Sequence, residues 1–286
     1  MRLLPSTLGA CVLLAFASLA TAKDFVTSVV PQDRIDVLKV YAILAGISYE
    51  TLTSWDCASC AFFADTQLAD YFHSNKNRTF GYVAVNNPLR QVVVAFRGTD
   101  NAEQYLTDIN LVLKRWPDSV EDSKVHDGFL DSYQDVADNL YELAAKELAN
   151  NPNYNLTIIG HSLGGGVASL AGVDFVMRNK TLGSIMRVVT FGKPRVGNQE
   201  YIEYYNSLNI TTDRVVNKND IVPHLPGNFL GYRHEAGEQW IKFESNGNLT
   251  LSCPQVDNKS NPDCSKSVRV RDYSREQHHW AWNIQL

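Results

Sequence analysis

The stretch "LTIIGHSLGGGVASLAG", Leu156 to Gly172, decides the fold. Leu156, Ile158 and Ile159 form a short apolar, β-branched run, the pattern of a buried parallel strand. Val167, Ala168, Leu170, Ala171 and Val173 suit a helix built of small and apolar residues. Between the two runs lies Gly-x-Ser-x-Gly. Strand, tight turn and helix are the setting that holds a nucleophilic serine on a strained elbow. Gly160, Gly164 and Gly165 let backbone crowd backbone where a Cβ would clash. A phosphate-binding loop is the competing reading, but it needs Lys-Ser or Lys-Thr after its glycines, and neither is present. Ser162 therefore reads as an activated nucleophile.

Residues 1–22 read as a signal peptide. Arg2 supplies the positive start, the apolar run 8–20 is too short to span a bilayer, and Ala20-Thr21-Ala22 offers a small-residue cleavage site. The expectation is a secreted, extracellular protein with no integral membrane segment. Residues 23–286 should form one α/β domain, since no linker, repeat or low-complexity tract divides them. Six sequons, at Asn77, Asn155, Asn179, Asn209, Asn248 and Asn258, suggest a glycoprotein. Cys11 leaves with the signal, and Cys57, Cys60, Cys253 and Cys264 read as two disulfides in an oxidising compartment. Three pairings are open, and the two local ones are expected. A zinc site is disfavoured because Cys253 and Cys264 lie too far apart for a second knuckle. The formal charge of -5 argues against nucleic acid and gives no attraction to anionic membranes. A monomer is expected.

Apolar spacing predicts helices over 35–49, 102–113, 129–149, 198–207 and 276–284. Strands are predicted over 80–85 and 91–96 (as a hairpin), 156–159, 186–191, 214–217 and 239–244. Strands alternating with helices imply a mostly parallel sheet covered on both faces. Active groups then belong at the carboxyl ends of the strands.

A serine hydroxyl needs a base, and the base an orienting carboxylate, in the order Ser, Asp/Glu, His. Asp220 sits in a turn just past the 214–217 strand, as the acid requires. Asp213 would sit at the wrong end of that strand. For the base, "REQHHWAW" offers His278 and His279, and helical geometry lets only one of two adjacent residues face the serine. Their chemistry leaves both open. His224 and His234 are candidates too, with His224 disfavoured by its closeness in sequence to Asp220. Two backbone N–H groups must hold the oxyanion. One should come from Leu163, and Thr99, after Gly98 at the end of "VVVAFRGTD", is the candidate for the other.

These pieces, in order "VVVAFRGT", "VHDGFLDSY", "IIGHSLGG", "TFGKPRVGN", "VNKNDIVPHLP" and "YRHEAGEQW", resemble the secreted fungal and yeast triacylglycerol lipases called class 3. The likeness runs from about Tyr41 to Trp282. "SWDCASC" is similar to a segment that forms a short-range disulfide in some members. The resemblance implies an α/β-hydrolase fold with a mostly parallel sheet, a nucleophile elbow and a helical lid. It also implies that Ser162 is the nucleophile, Asp220 the acid, and Thr99 and Leu163 the oxyanion donors. The family's terminal motif has its catalytic His followed three places later by an aromatic, so Trp282 points to His279. Tyr105, Leu106 and Ile109 fall in the segment that forms the lid, with Tyr105 where well-known members have Trp. A cysteine near Tyr49 that ties the first helix to the C-terminus in many members is absent.

The expected activity is serine carboxylester hydrolysis, most simply of triacylglycerols at an oil–water interface, through an acyl-enzyme and without metal or organic cofactor. Feruloyl esterase and mono- or diacylglycerol lipase are alternatives on the same fold. The alternative from another class is a catalytically inactive lipase-like binding protein, which typically lacks a triad member.

Overall fold

Near-continuous apolar runs along the central strands, such as Val92 to Phe96, set the architecture, because successive side chains point to opposite faces and each strand must bury both. The computed structural model describes residues 24–74, 76, 79–99, 111–245 and 247–286. The expected signal peptide, Asn77, and Tyr105, Leu106 and Ile109 of the expected lid lie outside the described residues. In chain order the elements are β1 (Ser28–Val29), α1 (Gln32–Ile47), β2 (Thr66–Ser74), β3 (Thr79–Asn86), β4 (Gln91–Phe96), β5 (Leu113–Arg115) and β6 (Lys124–His126). They continue with α2 (Asp127–Gln134), α3 (Ala137–Asn150), β7 (Asn155–His161), α4 (Leu163–Arg178), β8 (Met186–Phe191), α5 (Gln199–Ser207) and β9 (Thr211–Asn217). The last are β10 (Glu238–Glu244), β11 (Gly247–Cys253), β12 (Trp280–Ala281) and β13 (Ile284–Gln285).

A nine-stranded sheet runs in the order β1-β11-β10-β9-β8-β7-β4-β3-β2. β4, β7, β8, β9 and β10 are parallel, and the strands outside them pair antiparallel. Val92, Val94, Phe96, Ile158 and Val188 pack into a core with residues of α2, α3, α4 and α5. Their neighbours Val93, Ala95, Ile159 and Val189 join Leu38, Tyr41, Ala42 and Ala45 of α1 in a second core. The helices therefore cover both faces, as strands apolar on both sides require.

Three local expectations are corrected. The helix predicted over 129–149 is two helices, α2 and α3. α2 lays Phe129 on Gly166 of α4, whereas α3 turns Leu140 and Ala144 into the core. At the break, Asp135 accepts a hydrogen bond from Ser74 of β2 at 2.8 Å. The helix predicted over 276–284 is a single 3-10 turn, Glu276–His279, followed by the β12–β13 hairpin. Leu113, predicted to end a helix, instead starts β5, which pairs with β6.

Cys57–Cys60 and Cys253–Cys264 both form, which leaves the C-terminal segment without a covalent tie. Packing holds it: Ile284 and Leu286 lie against the α1 core, and Leu286 N–H donates to the His279 carbonyl at 2.9 Å. Of the sequons described, Asn155, Asn179, Asn209 and Asn248 are exposed. Asn258 is half-buried and accepts from Asn206 Nδ2 at 2.8 Å.

Buried ion pairs join the motifs beneath the site. Lys193 Nζ lies 2.9 Å from Glu235 Oε2, with both side chains 0% exposed. Arg214 and Glu238 pair at 2.7 Å between β9 and β10. Burial lowers the Lys193 ammonium to about 8, against the favourable charge of Glu235. Removing one partner of such a pair strands a charge in a dry interior. Lys193→Met is expected to cost about 3–5 kcal/mol, and Lys193→Met with Glu235→Gln to recover more than half of it. Urea unfolding of the three proteins measures both quantities, and an additive double variant would mean that the pair is not coupled.

Candidate active site

β7 ends at His161, α4 begins at Leu163, and Ser162 makes the whole reversal, with φ 58° and ψ -127°. A positive φ at a residue with a Cβ is strained by about 1–3 kcal/mol and survives only where its surroundings enforce it. Here the enforcement is main chain against main chain. Ser162 N–H donates to Phe191 O at 2.9 Å, and Gly165 N–H donates to Ser162 O at 3.0 Å. A Cβ on Gly160 would sit 2.2 Å from Gly164 O, and one on Gly164 would sit 2.4 Å from Phe96 O. No other residue type fits at either place.

Asp220 follows β9 at its carboxyl end, and its N–H donates to Asn217 O at 2.9 Å. One carboxylate oxygen accepts from Val222 N at 2.9 Å, and the other lies 3.0 Å from His278 Nδ1. Asp220 and His278 side chains are each 1% exposed. Strand-like pairing docks the terminal segment here: Ser274 N–H donates to Asn219 O at 2.8 Å, and Asn217 Nδ2 donates to Gln277 O at 2.9 Å. Gly192, directly after β8, has φ 56° and leaves room for the pair. A Cβ there would lie 2.8 Å from His278 Nδ1 and 2.9 Å from Asp220 Oδ2. The Phe191–Gly192 link thus touches Ser162 on one side and the Asp–His pair on the other. Asp213 sits near the opposite end of β9, paired with Arg34 at 2.5 Å and Arg187 at 2.6 Å.

The choice of His279 is corrected: His278 pairs with Asp220, while His279 is exposed. A 3-10 turn rotates about 120° per residue, so only one of the two neighbours can face Asp220. The aromatic three places after His279 does other work. Trp282 lies in the turn of the β12–β13 hairpin with φ 48°, and its Nε1–H donates to Thr250 Oγ1 at 2.9 Å.

Ser162 Oγ and His278 Nε2 are both buried and have no hydrogen-bond partner among the described residues. Leu163 opens α4, where an N–H lacks an intrahelical acceptor. Gly98 lies so close to the elbow that a Cβ on it would be 3.0 Å from Ser162 Cβ, which brings the Thr99 loop alongside. The arrangement can activate a serine and surround a developing oxyanion.

Sequence reasoning missed Gly192, Lys193, Glu235 and His161. His161 is fully buried beside Ser162, with its ring centroid 4.6 Å from that of His278. Burial, and then the His278 charge, hold its pKa well below the ordinary imidazole value. His224 is stacked on Tyr273 at 4.3 Å and lowered to about 4 by burial, while His234 meets Pro223 O at 2.7 Å. Neither approaches Asp220 as His278 does.

A strained serine between a parallel strand and a helix, with a buried Asp–His pair beyond later strands, defines an α/β hydrolase. The family model described as Lipase (class 3) matches residues 93–230. A lipase from Rhizopus oryzae is 35% identical over 216 residues, covering 75% of this chain and 54% of the relative. The chain thus spans about half the length of that relative. Among solved structures, lipase II from Rhizopus niveus superposes with a TM-score of 0.83 at 31% identity, covering 91% of this chain and 98% of that one. The Rhizomucor miehei triacylglyceride lipase gives 0.84 at 30%, with the same coverage. The chain belongs to the class 3 lipase family.

Gly192→Ala tests the contact between β8 and the Asp–His pair. Displacement of the imidazole by about an ångström should lower kcat for ester hydrolysis about a hundredfold. Gly247→Ala, also at a positive φ but with open space around its Cβ, should leave kcat at the parental level. Equal activity in the two variants, measured with a soluble p-nitrophenyl ester, would remove Gly192 from the site.

Proposed function

We propose that the chain is a secreted serine carboxylester hydrolase that releases fatty acids from triacylglycerols. The observation that carries this reading is the buried Asp220–His278 pair held against the Ser162 elbow by Phe191 and Gly192. Ser162 Oγ attacks the ester carbonyl while His278 Nε2 accepts its proton. Asp220, bonded to Nδ1, fixes the tautomer that leaves Nε2 able to accept and stabilises the imidazolium that results. The negative oxygen of the tetrahedral intermediate is held by the N–H groups of Leu163 and Thr99. Collapse passes the proton from His278 to the departing alcohol and leaves an acyl-serine. Water then repeats the sequence with His278 as base and frees the fatty acid. The inactive binding-protein alternative loses support, because each triad position carries a group suited to its role.

The lipid part of the reading rests on an apolar rim. Phe229 is 89% exposed, and Leu111, Val112 and Leu230 are exposed beside it. Tyr232 OH donates to Leu111 O at 3.3 Å, and Leu113 is the side chain nearest Gly231, so the two stretches are neighbours. Apolar surface of this kind costs about 25 cal/mol per Å² in water and little against lipid. Tyr105, Leu106 and Ile109 precede the same rim in sequence and act in this proposal as the lid's apolar face. No described helix is long and apolar enough to cross a membrane.

Initial rates on emulsified long-chain triacylglycerol, diacylglycerol, monoacylglycerol and methyl ferulate test the substrate. Triacylglycerol turnover should lead, and Ser162→Ala should lower it by at least about a thousandfold with the fold intact. Phe229→Asp should reduce activity on emulsions while sparing a soluble short-chain ester. Fast ferulate release with negligible triacylglycerol turnover would overturn the substrate assignment, and parental activity in Ser162→Ala would overturn the mechanism.

A further inference from the structure

A hydrogen-bond chain that the reaction above does not use runs from the end of α1 to the terminal segment. Tyr49 OH lies 2.6 Å from His161 Nδ1, and His161 Nε2 lies 2.9 Å from the main-chain oxygen of His278. A carbonyl can only accept, so Nε2 carries the proton and Nδ1 accepts from the tyrosine hydroxyl. One neutral tautomer is thereby fixed. Burial and the neighbouring His278 keep His161 neutral, so the tautomer persists when His278 takes up a proton. The two rings lie 32° apart, with their centroids 4.6 Å from each other.

We infer that His161 and Tyr49 are positioning residues, which hold the main chain of His278 so that its imidazole can serve Ser162 in the proposed reaction. This inference rests on the assignment of Ser162 and His278 as nucleophile and base. Asp220 fixes the imidazole at Nδ1 only, and a ring held at one atom can still tilt as its backbone moves. The bond to the His278 carbonyl fixes the other end of the same residue. Because His161 immediately precedes Ser162, base and nucleophile are tied through a single peptide unit. Gly98 belongs to the same arrangement: a Cβ there would lie 2.3 Å from Tyr49 OH and 2.8 Å from His161 O. The chain also links α1 to the terminal segment, two parts that no disulfide joins.

The test compares the parent with Tyr49→Phe, His161→Gln, His161→Leu and Ser162→Ala on p-nitrophenyl butyrate, with kcat, KM and thermal unfolding measured for each. Tyr49→Phe removes only a hydroxyl and should lower kcat about tenfold with KM within about twofold. His161→Leu should lose about a hundredfold in kcat, and His161→Gln, whose amide can still donate to the carbonyl, should recover about tenfold of that. A merely structural role would make kcat follow thermal stability and would give Gln no advantage over Leu. Parental kcat in Tyr49→Phe overturns the inference, whatever the folding of the His161 variants. So does a loss confined to KM. Parental activity in Ser162→Ala would instead sink the hydrolase reading, which separates the two failures.

Discussion

A chain that reverses from strand to helix at a serine with positive φ must bring three stretches of main chain into contact. Everything else in the site follows from that constraint. Gly160 is pressed against Gly164, Gly164 against the end of β4, and Ser162 N–H against the end of β8. Each contact fixes a neighbour the chemistry needs: β4 leads into Gly98 and Thr99, and β8 leads into Gly192 and the Asp–His pair. The strain at Ser162 is offset by the packed sheet on either side, where Phe96, Ile158 and Phe191 are wholly buried. A looser sheet would let the serine relax into an ordinary helix N-cap.

The second requirement is a charged carboxylate in a dry place. Asp220 is buried, but it accepts from Val222 N–H and meets His278 Nδ1, so neither oxygen is left without a partner. Unpaired, it would cost several kcal/mol to bury. The same logic recurs nearby, where Lys193 with Glu235 ties the loop after β8 to the segment before β10, and Arg214 with Glu238 joins β9 to β10. Breaking either pair by removing one partner would leave the other charge buried without compensation, so both act against displacement of the segments they join.

Much of this was legible in the sequence, and the reasons are local ones. The elbow shows because its glycines, its β-branched strand and its small-residue helix are contiguous. Asp220 shows because a turn after an apolar strand places it at the carboxyl end. His278 was not legible: choosing it over His279 depends on the dihedral angles of a four-residue turn and on where Gln277 docks against Asn217. The aromatic spacing that favoured His279 instead serves a hairpin that ties Trp282 to Thr250. The Lys193–Glu235 pair spans 42 residues, and no periodicity marks it. The split of α2 from α3 was hidden because it depends on long-range contacts, the packing of Phe129 on Gly166 and the hydrogen bond from Ser74 to Asp135 at the break.

The central claim is that Ser162 is made nucleophilic by His278 and not by its exposed neighbour. The direct measurement is the rate at which an alkyl p-nitrophenyl phosphonate releases nitrophenolate and phosphonylates the protein, with the adduct mapped by mass spectrometry. The expected result is a single adduct on Ser162, formed at parental speed in His279→Ala and slowed about a thousandfold in His278→Ala. Fast labelling in His278→Ala with slow labelling in His279→Ala, or an adduct on another serine, would contradict it.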